Sequence, residues 1–212
     1  MSVGVDRYAP PSESEATRLV TGWPLAWIVS PLADDCVATV LPLRPGIDAS
    51  DKLVRLEGHF ARSNRHVEVL QKNPRAMILF LGPQGYISPS WMRDRTQAPT
   101  WNYASAQYLA DIKFTNNAEK LGAHVNDLVG AMEAGRPNAW SVAEMGARYQ
   151  MLAKRVIGFE AVILERREKF KLGQDERDDV FADIMAALAA GSQSELRDWM
   201  ARSNTQRKSL NK

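Results

Sequence analysis

Apolar and charged positions alternate along residues 52–60 (KLVRLEGHF). This period of two is typical of a strand that buries one face. Comparable β-rich runs predict further strands at residues 25–31, 36–43, 76–81, 86–88, 100–114 and 155–171. Between the first two of these, Ala33-Asp34-Asp35 is typical of a hairpin turn. We expect the run 76–81 to be central, because it is apolar throughout.

Apolar residues at helical spacing predict a second set of elements. The stretches are 12–22, 64–72, 121–132, 142–152, 176–190 and 192–200. Residues 45–51 and 89–99 are expected to be loops, and 82–85 a turn. The basic, polar residues 201–212 are expected to form a solvated tail, with contact to DNA as the weaker alternative.

Short connections between the strands favour antiparallel pairing, and the helices are grouped at the start, between the late strands and at the end. We therefore expect a mainly β, α+β fold, a closed β-barrel with peripheral helices. One domain would cover residues 1–190 and include a helical insertion at 116–155. A short helix and the basic tail would follow at 191–212.

The chain has 212 residues, of which 45% are hydrophobic and 25% charged, as in an ordinary soluble protein. The net charge of +2 gives no support to nucleic-acid binding. Cys36 is the only cysteine, which excludes an internal disulfide and fits a cytoplasmic location. It occurs in an apolar strand and is expected to lie in the core. We expect no signal peptide, because the first ten residues lack a basic end followed by an apolar core. We expect no membrane span, because no apolar run approaches about 20 residues. A metal site is not expected either, because the three histidines lack metal-ligand spacing.

The junction GHFARSNRHVEVLQKNP, residues 58–74, concentrates hydrogen-bond donors where a strand gives way to a helix. A helix N-terminus presents free backbone N–H groups, and arginine adds a planar fork that suits phosphate oxygens. This favours a phosphate site at Arg62, Ser63 and Asn64. The alternative is that Ser63 or Asn64 only caps the helix and that the arginines are solvated.

Large aromatic and amide side chains follow further along the chain. Trp91, Trp101, Asn102 and Tyr103 are suited to stack on a flat heteroaromatic ring and to hydrogen-bond it. A bound flavin mononucleotide (FMN) would use both this group and the phosphate site. The alternative is that Trp101 and Tyr103 are core residues and that Trp91 lies in an interface. We find no dinucleotide-binding, Walker, HExxH or nucleophile-elbow motif.

The segments GHFARSN, FLGPQGYISPSW, PTWNY, VIGFE and KFKLGQ occur in an order that resembles the PaiB family of FMN-binding negative transcriptional regulators. The resemblance covers nearly the whole chain up to about residue 190. It implies an FMN-binding split β-barrel of antiparallel Greek-key type. It also implies a homodimer with the flavin at the subunit interface.

Carried over by position, the resemblance implies a set of cofactor-binding residues. They are His59, Arg62, Ser63, Asn64, Tyr86, Ser88, Trp91, Thr100, Trp101, Asn102, Tyr103, Lys171 and Gln174. The family commonly has a histidine before the proline that ends the second strand, where this chain reads Thr39-Val40-Leu41-Pro42. The chain also departs at Gly173 and Asp175, where serine and asparagine are usual. A carboxylate near a flavin phosphate would be unfavourable, so these changes bear on FMN affinity.

Three functions stay open at this point. The resemblance implies a flavin-binding transcriptional regulator. A flavin-dependent oxidoreductase or flavin reductase is the alternative, in which the cofactor carries the chemistry and the protein orients it. A flavin-free dimer that acts through partner contacts is the third.

Overall fold

The computed structural model describes residues 7–210. Its seven strands in this range are β1 Leu25–Pro31, β2 Cys36–Pro42, β3 Arg44–Ile47, β4 Leu53–Ala61, β5 Arg75–Ile87, β6 Thr100–Thr115 and β7 Val156–Lys171. The α-helices are α1 Glu13–Gly22, α2 Arg65–Lys72, α3 Ala118–Glu133, α4 Ala147–Ala153, α5 Asp178–Ala190 and α6 Ser194–Leu210. Two 3-10 turns lie at Pro89–Trp91 and Val142–Met145.

The strands form one sheet in the order β2-β1-β5-β6-β7-β4-β3. β1 pairs antiparallel with β2 and β5, and β4 pairs antiparallel with β3 and β7. β5 is an inner strand, as its continuous apolar run predicts. The expected mainly β, α+β fold with antiparallel strands is confirmed.

The chain divides into two compact units. The first comprises Met1–Gly22, Leu81–Ala106 and Arg167–Lys212, and the second comprises Trp23–Phe80 and Gln107–Arg166. The predicted domain boundary near residue 190 stays a prediction.

The core of the second unit is centred on the fully buried Phe60 of β4. Its ring centroid lies 5.0 Å from that of Phe159 on β7 and 5.5 Å from that of His66 on α2. Burying a phenylalanine contributes about 1.5–3 kcal/mol. The imidazole of His66 is therefore part of an apolar layer and needs hydrogen-bond partners there.

The core of the first unit joins β7 to α6. Phe170 and Trp199 are buried and pack edge to face, with ring centroids 5.3 Å apart. Gly82 of β5 lies so close to α1 that a Cβ there would be 2.2 Å from Leu19 Cδ1. Glycine within a strand often marks such a close approach.

Four sequence predictions are wrong in detail. The predicted turn at 82–85 lies inside β5, because its glycines serve close packing and not a change of direction. The predicted loop at 45–51 begins with β3, which pairs with β4. α6 continues past residue 200 to Leu210, where a tail was expected, and residues 211–212 lie outside the described range. Cys36 is exposed, because it begins the terminal strand β2.

Candidate functional site

An exposed pair of aromatic rings lies in the first unit, where β5 ends and β6 begins. Tyr86 is 44% exposed and Trp101 is 54% exposed. Their ring centroids are 6.1 Å apart at an angle of 61°. Single exposed hydrophobic side chains are common on protein surfaces, so what distinguishes this place is that two exposed rings lie together. The pair presents a surface on which a flat ring could stack.

The ammonium group of Lys171, at the end of β7, is fixed beside this pair. It donates to the hydroxyl of Thr100 and to the carbonyl oxygen of Trp101, the latter at 3.1 Å. A lysine ammonium has three N–H donors. The third donor is left for an anion or a carbonyl group. Tyr86, Thr100, Trp101 and Lys171 are called the Trp101 cluster below.

The loop after β7 is shaped by its own side chains. Gln174 accepts from the backbone N–H of Leu172 at 2.7 Å and donates to the carbonyl of Phe170. Gly173 has φ +82°, and a Cβ there would be 3.2 Å from both Met200 and Phe181. The amide of Gln174 therefore holds the loop that follows Lys171.

Asp175, the other departure from the family pattern, has a partner in the first unit. Its carboxylate accepts from the hydroxyl of Tyr8 at 2.7 Å. This hydrogen bond is the main reason that the pKa of Tyr8 is raised. The carboxylate is engaged with a residue near the chain's start, which no local pattern in the sequence indicates.

Asn102 and Tyr103 follow Trp101 on β6, and side chains alternate between the two faces of a strand. Asn102 is buried, and its amide nitrogen lies 3.5 Å from the Met200 sulfur. Its amide oxygen is buried and has no hydrogen-bond partner among the described residues. The structure thus places Asn102 on the opposite face from Trp101, whereas the half-buried Tyr103 shares the face of Trp101.

Ser88 precedes the 3-10 turn at Pro89–Trp91, and Trp91 is its last residue. Ser88 caps this turn, accepting from the backbone N–H of Ser90 at 3.2 Å. Trp91 is 36% exposed. Both residues belong to the first unit, as do the residues of the Trp101 cluster.

The predicted phosphate residues lie in the second unit, between β4 and α2. Arg62 donates to the Lys154 carbonyl at 3.2 Å and to the Asn116 side chain at 2.9 Å. Ser63 is exposed. Asn64 is the N-cap of α2 and accepts from the backbone N–H of His66 at 2.9 Å. Asn64 therefore caps α2, as the alternative expects, and the phosphate role of these three residues stays a prediction.

His66 is fully buried, and its two ring nitrogens meet two hydroxyl groups. Nδ1 lies 3.0 Å from Thr39 Oγ1, and Nε2 lies 3.1 Å from Ser30 Oγ. Burial lowers the pKa of His66. The side chain is therefore neutral at pH 7 and is directed into the core, away from any anion at the start of α2.

His59 on β4 is paired with another histidine. Its Nδ1 lies 3.2 Å from Nε2 of His124 on α3. Burial lowers the pKa of His59, and burial together with His59 and Arg44 lowers the pKa of His124 to about 4. His124 Nδ1 is buried without a partner in the described part of the chain. Two neutral imidazoles thus share one hydrogen bond.

The sequence reasoning missed Thr39, Ser30, His124 and Tyr8 as partners of candidate residues. Only His124 had a usable signal, because it occurs on the apolar face of a helix next to Leu121 and Val125. No group of three or more His, Cys, Asp or Glu side chains suited to a metal ion occurs between residues 7 and 210. Within that range no helix has both the length and the apolar character needed to cross a membrane.

The sequence of this chain is similar to those of several known proteins. Protease synthase and sporulation protein PAI 2 of Bacillus subtilis is 25% identical over 153 residues, which is 72% of each chain. The uncharacterized protein AN0679 of Emericella nidulans is 26% identical over 162 residues. That match covers 60% of this chain and 64% of AN0679, so the chain spans just under two thirds of that relative.

Solved structures share the fold at low identity. The FAD and heme binding protein from Mycobacterium smegmatis has a TM-score of 0.59 at 18% identity, covering 86% of this chain and 80% of that one. The conserved hypothetical protein Rv2991 from Mycobacterium tuberculosis has a TM-score of 0.56 at 12% identity, covering 80% and 91%. These likenesses concern the fold alone.

A family model matches residues 5–165, more than half of the chain. Its description is "Putative FMN-binding domain". The chain belongs to this FMN-binding family, in agreement with the resemblance carried by its segments.

Proposed function

We propose that this chain binds FMN and that the Trp101 cluster contributes to the binding site. The observation that carries the proposal is the position of the Lys171 ammonium, held by Thr100 and by the carbonyl of Trp101 beside the exposed indole. A flat ring and a negative charge are the two features that such a surface recognises together. Membership of an FMN-binding family supports flavin as the ligand.

The chemistry of this donor set fits a flavin. Trp101 and Tyr86 offer aromatic surface, and the third N–H of Lys171 would donate to a phosphate oxygen or to a ring carbonyl. Gln174 is proposed to act through the loop it holds, since both ends of its amide are engaged by backbone. Asn102, which faces the other way, would act by positioning β6.

Other family positions stay proposed contacts on the same resemblance. Ser88, Trp91 and Tyr103 belong to the first unit with the Trp101 cluster. The proposed contacts that belong to the second unit are Arg62, Ser63, Asn64 and His59. Ser63 is the most direct phosphate candidate among these, because its hydroxyl is exposed just before α2.

When bound, a flavin would supply electron-transfer chemistry, which this chain's side chains would orient and shield. We propose that the cofactor serves a regulatory protein of PaiB type, with a flavin reductase as the alternative. Anaerobic bleaching of bound flavin by NADH or NADPH would favour the reductase. A complex with a defined operator that persists at physiological salt would favour a DNA-binding regulator, although the net charge of +2 predicts weak binding.

We propose further that the chain forms a homodimer through one face of its sheet. Leu25 and Trp27 on β1 are 61% and 53% exposed. The strand register places Trp27 between Val40 on β2 and Leu79 on β5. An exposed row of apolar side chains on a sheet is typical of an interface. A second copy of the chain is the occupant that the family resemblance favours.

The test of flavin binding is the visible absorbance retained after FMN is added and the protein is desalted. Native protein is expected to keep the flavin band, whereas Trp101→Ala and Lys171→Met lose most of it. Lys169→Met is the matched control, because Lys169 lies on the same strand but over the Tyr8 ring. Retention of the full band by both cluster variants would contradict this site. The absence of the band from native protein would contradict FMN binding itself.

A further inference from the structure

A small cavity in the second unit lies beside His59. It has a volume of about 150 Å³, and α3, α4 and the turn Val142–Met145 contribute most of its walls. Leu121 and Val125 come from α3, Met145 from the turn, and Leu152 from α4. We call it the His59 pocket. Apart from His59 and the hydroxyl of Tyr149, its lining is apolar, and no Lys, Arg, Asp or Glu side chain lines it.

The volume sets the size of the occupant. An apolar protein cavity of about 150 Å³ accommodates one benzene-sized ring. The pocket is partly open to solvent, so its walls surround one ring without enclosing it completely. Val125, Met145 and Leu152 are half-buried, so a ligand would remove further apolar surface from water.

His59 supplies one of the two polar groups of the pocket, the other being the hydroxyl of Tyr149. Its Nδ1 is engaged by Nε2 of His124, so Nε2 is the ring nitrogen left for a ligand. One of the two imidazoles must donate in that shared bond. If His124 donates, His59 Nε2 carries a proton and can donate; if His59 donates, its Nε2 is an acceptor.

A hydroxyl group matches both arrangements, because it can donate one hydrogen bond and accept others. A carboxylate matches only one, and it would be desolvated without a positive partner in an apolar pocket. Both imidazoles are neutral at pH 7, since burial lowers the pKa of each. The site therefore favours a neutral ligand.

We propose that the His59 pocket binds a neutral molecule with a single aromatic ring and a hydroxyl substituent, of which phenol is the simplest. The ring would lie among the side chains of α3 and α4, and the hydroxyl would bond His59 Nε2. None of the residues that line this pocket belongs to the Trp101 cluster. The proposal does not depend on flavin binding.

The test is a calorimetric titration of the purified protein with phenol, toluene and benzoate. Phenol is expected to bind saturably, toluene more weakly because it lacks the hydroxyl, and benzoate least. Val125→Phe fills the pocket and is expected to weaken phenol binding at least tenfold. Val129→Phe is the matched control, because Val129 lies one turn further along α3 and does not line the pocket.

A second variant examines the polar contact. His59→Phe keeps a ring at this position and removes Nε2, so phenol is expected to bind no better than toluene. Circular dichroism shows whether each variant is folded, and toluene binding by the His59→Phe protein shows whether the apolar lining of the pocket is intact. The proposal is overturned if phenol does not saturate native protein. It is also overturned if Val125→Phe and Val129→Phe bind phenol equally, or if benzoate binds as tightly as phenol.

Discussion

Nδ1 of His66 lies 3.0 Å from Oγ1 of Thr39, and this contact completes a chain of hydrogen bonds whose directions are all determined. Ser30 donates its only proton to the carbonyl of Arg75, so its contact with His66 requires that Nε2 donate. Nδ1 of the neutral ring must then accept from Thr39. Thr39 in turn accepts from the amide of Asn64 at 3.3 Å.

Replacing Thr39 by valine is expected to destabilise the fold by about 1–3 kcal/mol, the usual cost of leaving buried polar groups unpaired. His66 Nδ1 and the Asn64 amide would both lose a partner, although the shape of the side chain would be kept. Urea denaturation gives the free energy of unfolding. Thr39→Ser keeps the hydroxyl and is expected to lose less. Equal stabilities of the valine and native proteins would show that the chain of hydrogen bonds contributes nothing.

This network also shows what the sequence could reveal. The strand at 52–60, the helix after Asn64 and the cap itself follow from local patterns, and all three are present. The inward orientation of His66 does not, because its partners are 27 and 36 residues away in the chain. Ser30 and Thr39 lie on β1 and β2, and only the sheet's register brings them to the start of α2.

The free energy of unfolding should decrease as the pH is lowered, in part because of His124. Its pKa is lowered from 6.5 to about 4, mainly by burial. Below about pH 6.5 the unfolded chain therefore gains a proton that the folded chain does not, and stability is lost progressively down to about pH 4. His124→Gln removes this titration, so its free energy of unfolding should change less between about pH 7 and about pH 5 than that of the native protein.

The control for this pH experiment is Asn126→Gln on the exposed side of the same helix. It should keep the native pH dependence, because the buried imidazole is untouched. A His124→Gln protein with the native pH dependence would mean that His124 titrates alike in the folded and unfolded chains.

Gly173→Ser, which restores the residue usual in the family, is expected to destabilise this chain by about 1–2 kcal/mol. The reason is the left-handed backbone at φ +82° and the 3.2 Å approach of a Cβ to Phe181 and Met200. Gly130→Ala is the contrasting variant. It lies in α3 with nothing within 4 Å of its Cβ position, so it should stabilise by about 0.5–1 kcal/mol. Thermal denaturation compares the two, and a serine variant as stable as native would contradict the strain at Gly173.

Asp175→Asn should lower the pKa of Tyr8 toward its ordinary value. The Asp175 carboxylate raises that pKa chiefly by accepting from the phenol hydroxyl, and ionisation of Tyr8 would place two negative charges side by side. An asparagine accepts the same bond without the charge. Ultraviolet titration of tyrosinate, with Tyr8→Phe to assign the signal, measures the change. An unchanged titration of Tyr8 would show that the two side chains do not interact in solution.

The homodimer is tested at Trp27, the most exposed aromatic side chain of β1. Trp27→Glu would place a charge in the centre of the proposed apolar interface, where desolvation without a partner costs several kcal/mol. The native chain is expected to sediment as a dimer and the variant as a monomer with an unchanged circular dichroism spectrum. Trp140→Glu is the matched control, because Trp140 is 39% exposed but lies outside the sheet. Apolar side chains around a buried glutamate could not compensate its charge. A Trp27→Glu chain that remains a dimer would therefore show that the dimer interface does not include Trp27.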